Sequence, residues 1–244
     1  MTSFDVVEAL RKKALASLYG EYKKRGTRKY DQFELHAYHF FDFCARRVIL
    51  ALEYGMHLDA QKKFPPQTLL TFRIGEKIEE IAKEILQGEE APILKARIGP
   101  KIRVRGHPDF LVTVNGYKMV VECKSIKKED FVGLTEPIHS HKYQLMYYLW
   151  LGKRLNAPYY HNAGIVLYIP KQQTSDLFKA FVVKYNDNIA EEYEGHVKAI
   201  KKGLKGQLPD RTCNNFGSAR RRDCPVRHLC FKDEEISWLE RSAD

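Results

Sequence analysis

The feature that most constrains the fold is Asn115-Gly116, a two-residue turn signal between two stretches of alternating apolar residues. Asn-Gly favours a type I′ turn, and a two-residue turn fixes which residues of the flanking strands lie opposite each other. Residues 110–114 and 117–124 are therefore predicted to pair as a β-hairpin in which opposite residue numbers sum to 231. Extended by one residue, this register places Asp109 opposite Glu122.

Acidic side chains at opposite positions of a hairpin repel each other, so a cation is expected beside Asp109 and Glu122. Lys124 leaves the strand on the same face as Glu122, whereas Cys123 leaves it on the other, apolar face, because side chains alternate along a strand. A solvated strand face with scattered charges is the competing interpretation. Pro108 also allows a bulge just before Asp109 that would shift the register.

A predicted helix over residues 72–86 carries Glu79 inside an apolar arc. Projected at ~100° per residue, Glu79 is the only charge on a stripe that also contains Phe72, Gly75, Ala82 and Leu86. A carboxylate buried there needs a partner, because an unpaired buried charge is costly. A divalent metal shared with Asp109 and Glu122 would be one such partner. A salt bridge to Lys83 or to an arginine is the alternative.

The hydrophobic pattern predicts three parts: an N-terminal helical lobe over 1–71, an α/β core over 72–205 and a cysteine-rich tail over 206–244. Helices are expected at 4–25, 33–55, 139–154 and 189–204, and further strands at 102–104, 164–169 and 178–185. No stretch approaches the ~20 apolar residues of a membrane span, and the start of the chain does not read as a secretory signal. A soluble, cytoplasmic protein is therefore expected.

The 244 residues include 41 lysines and arginines against 31 aspartates and glutamates, which gives a net charge of +10. Such an excess predicts a polyanionic partner, most simply nucleic acid, although a generally basic surface is the alternative. Arg220, Arg221, Arg222 and the basic N-terminal helices are the expected contacts with a phosphate backbone.

Four short motifs follow one another between residues 72 and 170. They are Gly75-x3-Glu79, Gly106-His107-Pro108-Asp109, Glu122-Cys123-Lys124 and His141-x2-Gln144-x3-Tyr148. Together they resemble the ordered motifs of the PD-(D/E)XK nucleases of the RecB type. The resemblance implies a restriction-endonuclease-like α/β core, in which a central mixed β-sheet is flanked by helices.

The resemblance also implies a metal site. Asp109 and Glu122, with the main-chain carbonyl of Cys123, would hold a catalytic Mg²⁺ or Mn²⁺, and Glu79 would complete the metal shell. Lys124 would orient the attacking water and stabilise the transition state. These residue types suit the chemistry, because a hard cation takes oxygen ligands and lowers the pKa of a bound water.

By the same resemblance, the helix that carries Gln144 and Tyr148 faces the catalytic site and guides the DNA strand. His141 shares their helix face and is the expected DNA contact. Core packing with the hydroxyl at its rim is the alternative for Tyr148. His141 could equally be a solvated residue at the start of the helix.

Three of the five cysteines, Cys213, Cys224 and Cys230, lie in the tail, which has little core-forming character of its own. With His228 they would make a Zn²⁺ site. With Cys44 they would make a four-thiolate site suited to an iron–sulfur cluster. Spacing alone leaves both possibilities open.

One cysteine before the nuclease motifs and three after them is similar to the iron-staple nucleases: the CRISPR-associated Cas-four family, the AddB nuclease domain and the nuclease domain of the Dna-two helicases. This resemblance implies an iron–sulfur cluster on Cys44, Cys213, Cys224 and Cys230, [4Fe–4S] rather than [2Fe–2S], with Zn²⁺ as the alternative. The ten residues between Cys213 and Cys224 are a wider gap than usual. Cys123 is expected in the core.

Resemblance to the Cas-four family implies a metal-dependent exonuclease that acts on single-stranded DNA or frayed ends, often from 5′ to 3′. Its expected task is trimming DNA for CRISPR spacer acquisition, with CRISPR integration proteins as further partners. A recombination or viral replication nuclease with the same motifs is the first alternative. A DNA-binding iron–sulfur protein that does not cleave is the second, although binding alone needs no paired carboxylates beside a polyanion.

Overall fold

The elements follow from a computed structural model that describes residues 3–26, 34–41, 43–56, 58, 64–159, 162–213 and 224–231. The N-terminal part contains α1 (Ser3–Gly26), β1 (Glu34–Leu35), α2 (Ala37–Phe41) and α3 (Ala45–Glu53). The middle contains α4 (Pro66–Ile85), β2 (Glu89–Glu90), β3 (Leu94–Arg97), β4 (Arg103–Gly106), β5 (Phe110–Val114) and β6 (Tyr117–Ile126). The remainder contains α5 (Lys128–Val132), α6 (His139–Arg154), β7 (Ala163–Pro170), β8 (Lys179–Lys184), α7 (Asp187–Gly203) and α8 (Arg227–Cys230).

The β5–β6 hairpin has the register that its turn predicts, with Val114 opposite Tyr117 and Phe110 opposite Val121. Asn115 and Gly116 both have positive φ, 50° and 79°, as a type I′ turn requires. β6 also pairs in parallel with β7, so it is the middle strand of a five-stranded mixed sheet in the order β2-β5-β6-β7-β8. The mixed α/β fold is thereby confirmed.

Alternating side chains of β6 enter two different apolar clusters. Val121 and Cys123 pack with Ala82 of α4 and with residues of β5 and β7. Val120, on the other face, joins the main core, where α6 is buried continuously from Tyr143 to Gly152 except at Gln144. Cys123 is therefore a core thiol, as its position in the strand predicts.

The helix predicted over 33–55 is wrong, because β1, α2 and α3 occupy this stretch. Glu34 and Leu35 pair in parallel with β4, which forms a second sheet in the order β1-β4-β3. Cys44 has an extended backbone before α3, with φ −146° and ψ 102°. Pairing with a distant strand has overridden the helical spacing of the local sequence.

α4 starts at Pro66, earlier than predicted. Proline is well suited to the first position of a helix, because the N–H that it lacks would have no partner there. Its aliphatic side chains Ile74, Ile81 and Ile85 are exposed at 45, 53 and 58%. The short elements β2, β3, α5 and α8 were not predicted at all. None of the described helices is long and apolar enough to cross a membrane.

Packing between α3 and α7 depends on the absence of a side chain at Gly203. A Cβ at this position would overlap Cγ1 of Ile49 and lie 2.8 Å from its Cδ1, and Ile49 is itself buried. Gly203→Ala is therefore expected to lower the free energy of unfolding by about 1–3 kcal/mol, measured by denaturant titration.

Gly195 provides the matched control within α7, because a Cβ there would meet no atom within 4 Å. Gly195→Ala is expected to stabilise the protein by roughly 0.5–1 kcal/mol, since alanine loses less backbone entropy in a helix. Equal effects of the two substitutions would contradict the close α3–α7 contact.

Candidate active site

Glu122 lies on the central strand β6 and is fully buried. Its Oε1 forms an ion pair with Nζ of Lys124, which leaves the same face of the strand. Its Oε2 is buried and has no hydrogen-bond partner in the part of the chain that the structure describes. Buried polar atoms are seldom left in this state, so Oε2 fits a cation as its partner.

Asp109 lies just before β5, and its carboxylate reaches the central strand. Its Oδ2 accepts a hydrogen bond from the Cys123 N–H at 2.6 Å. Its own N–H donates to the carbonyl oxygen of Val121 at 3.2 Å, although the strand partner of Val121 is Phe110. The ladder therefore shifts by one residue at Asp109, as the neighbouring Pro108 allows.

Three acids from separate elements form one electrostatic cluster around Lys124. Burial, and then Asp109, raises the pKa of Glu79 to about 7 and that of Glu122 to about 8. Burial also raises the pKa of Asp109, which Lys124 and the Cys123 N–H partly offset. Burial opposes the charge of Lys124, but Glu122 and Asp109 outweigh it, and the net pKa of Lys124 is raised.

The donor atoms of this cluster fit a divalent metal. Within the described ranges, no three His, Cys, Asp or Glu side chains are arranged as a set of metal ligands, and Asp109 and Glu122 contact the Cys123 N–H and Lys124. Lys83, the alternative partner of Glu79, pairs with Glu90 instead. Three carboxyl groups nonetheless offer only oxygen donors, the ligand type that Mg²⁺ or Mn²⁺ prefers, and a bound cation would favour their ionised forms.

Gln144 and Tyr148 are neighbours on one face of α6. Nε2 of Gln144 donates to the Tyr148 hydroxyl oxygen at 2.8 Å. Burial and Glu122 raise the pKa of Tyr148 well above its usual value, so its hydroxyl keeps its proton. Gly106 of β4 permits the close approach of α6, because a Cβ there would meet Cδ1 of Tyr148 at 3.0 Å. The structure thus brings Gln144 and Tyr148 to the acidic cluster.

His141, in the first turn of α6, contacts a residue that the sequence did not point to. Its Nδ1 lies 3.0 Å from the hydroxyl oxygen of Tyr168 on β7. Tyr168 is the strand partner of Lys124. The sequence gives no local signal for this pairing, because parallel strands are joined by a long crossover and not by a turn that fixes their register.

Between pH 6.5 and pH 4, His141 is expected to contribute a loss of stability, which the raised pKa values of Glu79 and Glu122 oppose because protonation of these acids favours the folded protein. Burial, and then Lys124, lowers the pKa of His141 from 6.5 to about 4. In this window the unfolded chain binds a proton on His141 that the folded protein does not, so the contribution of His141 to stability falls with each decrease in pH. The melting temperature of His141→Gln in EDTA, taken relative to the wild type at each pH, should therefore rise as the pH is lowered from 6.5 to 4. His139→Gln, which changes an exposed histidine in the same turn, should follow the wild-type profile, and identical profiles for both variants would contradict the prediction.

Three of the four predicted cluster cysteines share one neighbourhood. Cys44 caps α3, where its Sγ accepts the Arg47 N–H at 3.4 Å, and α8, which ends at Cys230, packs against α3. Burial raises the pKa of Cys224, and Cys44 and Cys230 contribute to the rise. Cys213 is partly exposed. His228 also lies on α8, so the Zn²⁺ alternative keeps its candidate ligand.

The predicted DNA contacts Arg220, Arg221 and Arg222 lie outside the described residues. On α1, Arg11, Lys12 and Lys13 are exposed. Basic side chains of the N-terminal helix are therefore accessible to a polyanion.

Comparison with known proteins gives a family and a fold. The sequence model of the PD-(D/E)XK nuclease superfamily matches residues 9–231. Among solved structures, SSO0001 is 17% identical, over 88% of this chain and 93% of its own, with a TM-score of 0.50. LHK-Exo in complex with dAMP is 14% identical, over 73% of this chain and 91% of its own, with a TM-score of 0.51. A separate structure of this alkaline exonuclease, LHK-Exo from Laribacter hongkongensis, is 13% identical, over 72% of this chain and 89% of its own, with a TM-score of 0.47.

No curated protein sequence matches the chain significantly. At such low identities, the likeness to SSO0001 and LHK-Exo shows a shared fold alone. The family match extends over most of the chain and includes all four motifs with their acids and Lys124. The chain therefore belongs to the PD-(D/E)XK nuclease superfamily.

Proposed function

We propose that this nuclease is a metal-dependent DNA exonuclease that acts on single strands or frayed ends. The observation that carries the proposal is the convergence of Glu79, Asp109, Glu122 and Lys124 from α4 and the β5–β6 hairpin. Acids that raise one another's pKa values destabilise a protein unless a cation or a function compensates. Hydrolysis of a phosphodiester uses both the acids and the cation.

Glu79, Asp109 and Glu122 would hold Mg²⁺ or Mn²⁺, together with the main-chain carbonyl of Cys123. When bound, the cation neutralises charge on the phosphate and lowers the pKa of the attacking water. Lys124 stays protonated and provides a second positive charge for the transition state, because its pKa is raised. Gln144 and Tyr148 would complete the site with two uncharged polar groups, an amide and a hydroxyl that keeps its proton.

Positive charge elsewhere on the chain offsets the repulsion between DNA and the acidic site. The net charge of +10, the exposed basic residues of α1 and the run Arg220 to Arg222 support backbone contacts that do not depend on sequence. DNA binding should therefore weaken steeply as salt rises, while the metal requirement persists. Single strands suit such contacts when aromatic or histidine rings are nearby, as at His141.

The direct test incubates the purified protein with end-labelled single-stranded and double-stranded DNA in Mg²⁺, Mn²⁺ or EDTA. Progressive shortening of single strands from one end, with either metal and not in EDTA, is the expected result. Labels at the 5′ and 3′ ends report the direction separately. Binding without cleavage under all conditions would favour the alternative of a non-cleaving DNA-binding protein.

The direction from 5′ to 3′ and a role in CRISPR spacer acquisition, with integration proteins as partners, rest on the resemblance to the Cas-four family. A recombination or viral replication nuclease with the same motifs is the second candidate. A pull-down with purified CRISPR integration proteins separates the two, since only the first role requires that complex.

We also propose that Cys44, Cys213, Cys224 and Cys230 hold an iron–sulfur cluster, [4Fe–4S] rather than [2Fe–2S]. The common neighbourhood of Cys44, Cys224 and Cys230 supports it. Four thiolates suit iron–sulfur chemistry, whereas three thiolates and His228 would suit Zn²⁺. The cluster would join α3 to the C-terminal segment and act structurally.

A further inference from the structure

The hydroxyl group of Tyr168 has two polar neighbours. It accepts a hydrogen bond from the Ile138 N–H at 2.9 Å, just before α6 begins. It also lies 3.0 Å from Nδ1 of His141, which is in the first turn of that helix. Tyr168 itself is fully buried, and these two groups are the hydrogen-bond partners of its hydroxyl among the described residues, while Lys124 and Glu122 act on it electrostatically.

These contacts determine which nitrogen of His141 carries the proton. A tyrosine hydroxyl has one proton to donate, and a main-chain N–H can only donate, so the bond with Ile138 uses a lone pair of the oxygen. The remaining O–H proton needs an acceptor, because buried polar hydrogens are nearly always paired. Nδ1 of His141 can accept it only when the ring proton resides on Nε2. The opposite tautomer would direct two donors at one oxygen and leave the hydroxyl proton unused.

The ring is also uncharged at neutral pH, because burial, and then Lys124, lowers the pKa of His141. The only protonated ring nitrogen is then Nε2. His141 is partly exposed, unlike Tyr168, and its Nε2 is not among the buried, unpaired side-chain atoms of the described residues.

Tyr168 connects this pair to the catalytic residues. It pairs with Lys124 across β6 and β7, and paired residues of neighbouring strands leave the same face of a sheet. Gln144 and Tyr148 extend from the same face of α6 as His141. The histidine therefore lies at the edge of the acidic cluster.

We propose that Tyr168 is a positioning residue that holds His141 in the tautomer with the proton on Nε2, so that His141 presents an uncharged donor to a phosphate oxygen of DNA. An uncharged donor can approach Lys124 without the repulsion that an imidazolium would add. The inference rests on the proposed function for its ligand, a phosphodiester, and on hydrogen-bond geometry for the role of Tyr168.

The tautomer is measured by long-range ¹H–¹⁵N correlation spectra of the histidine rings in Mg²⁺ buffer, with His141 assigned from its absence in His141→Gln. The wild type should show protonated Nε2 and unprotonated Nδ1. Tyr168→Phe, which removes only the hydroxyl group, should give a mixture of both tautomers. A wild-type ring protonated at Nδ1, or an unchanged ring in Tyr168→Phe, would overturn the positioning role.

Steady-state cleavage of a short single strand of DNA tests whether the Nε2–H of His141 donates to the substrate. Tyr168→Phe should raise KM roughly three- to tenfold with kcat nearly unchanged, as expected when one ground-state hydrogen bond is weakened. Tyr193→Phe, which removes another buried hydroxyl, one bonded to the Tyr143 carbonyl, should keep the wild-type KM. A fall in kcat alone, or equal effects of both substitutions, would contradict the inference.

His141→Gln tests whether a donor that needs no tautomer control bypasses Tyr168. The glutamine amide nitrogen lies at about the position of Nε2 and carries its protons without help from a neighbouring hydroxyl. In the His141→Gln background, Tyr168→Phe should therefore add no further rise in KM, whereas additive effects would contradict the coupling. A wild type that cleaves no DNA would overturn the proposed function, and the ring spectra would still decide the role of Tyr168.

Discussion

Replacement of Asp109 with asparagine is expected to abolish DNA cleavage and, at the same time, to make the metal-free protein more stable. Asparagine keeps an oxygen that can accept the Cys123 N–H, so the local hydrogen bond survives. It removes the negative charge that raises the pKa values of Glu79 and Glu122. The Glu122–Lys124 ion pair remains intact. Under the proposed function, these acids would serve metal binding at a cost in stability.

Cleavage by Asp109→Asn should fall by about 1,000-fold or more, because a charged ligand of the proposed metal is lost. The melting temperature in EDTA should rise by roughly 2–4 °C, which corresponds to ~1 kcal/mol of relieved repulsion for a chain of this size. Added Mn²⁺ should stabilise the wild type and have little effect on the variant, since only a bound ligand shifts unfolding.

Asp210→Asn changes an exposed acid and is the matched control for loss of one negative charge. It should keep wild-type cleavage, wild-type stability in EDTA and the stabilisation by Mn²⁺. Unimpaired cleavage by Asp109→Asn would exclude Asp109 from the site. A large drop in its melting temperature would show that the Asp109 charge holds the fold together, contrary to the repulsion inferred from the pKa values.

Local signals in the sequence predicted those parts of the fold that depend on few neighbouring residues. Asn115-Gly116 fixed the register of β5 and β6 because a two-residue turn leaves no freedom in the pairing. The helix over 139–154 agrees with α6 at both ends. In contrast, Glu34 and Leu35 form β1 only because β4 is available to pair with them, and no local pattern contains that information.

The same distinction between local and long-range information applies to the candidate site. Helical projection placed Glu79 on an apolar face, and hairpin register predicted Asp109 directly opposite Glu122. Both inferences use short-range geometry, but the shift of the ladder at Asp109 means that the direct opposition is not found.

Beside the Glu79 stripe, α4 carries a second apolar stripe that includes Ile74, Ile81 and Ile85. The projection could not tell which of the two stripes meets the sheet, and these three isoleucines are exposed. Tyr168 was missed because its distance from Lys124 depends on the parallel β6–β7 pairing.

Loss of one thiol, in Cys230→Ala, is expected to release the proposed iron–sulfur cluster and to destabilise the protein strongly. Cys230 is the last residue of α8, which packs against α3, and Cys44 lies at the start of α3. A bound cluster would tie these two segments together, and metal-binding free energy of this kind contributes directly to folding. The expected loss is on the order of 4 kcal/mol, or a melting temperature lower by about 10 °C.

Iron content, visible absorption and melting temperature are measured on anaerobically purified protein. The wild type should be coloured, with iron that Cys230→Ala lacks, and cleavage by the variant should show a raised KM more than a lowered kcat, because the acidic cluster does not include Cys230. Cys123→Ala is the control for iron content alone, since this buried thiol packs in the other apolar cluster, beside Val121. Colourless wild-type protein that contains zinc would assign the thiols to the Zn²⁺ alternative with His228. Iron retained in Cys230→Ala, with unchanged stability, would remove Cys230 from the ligand set.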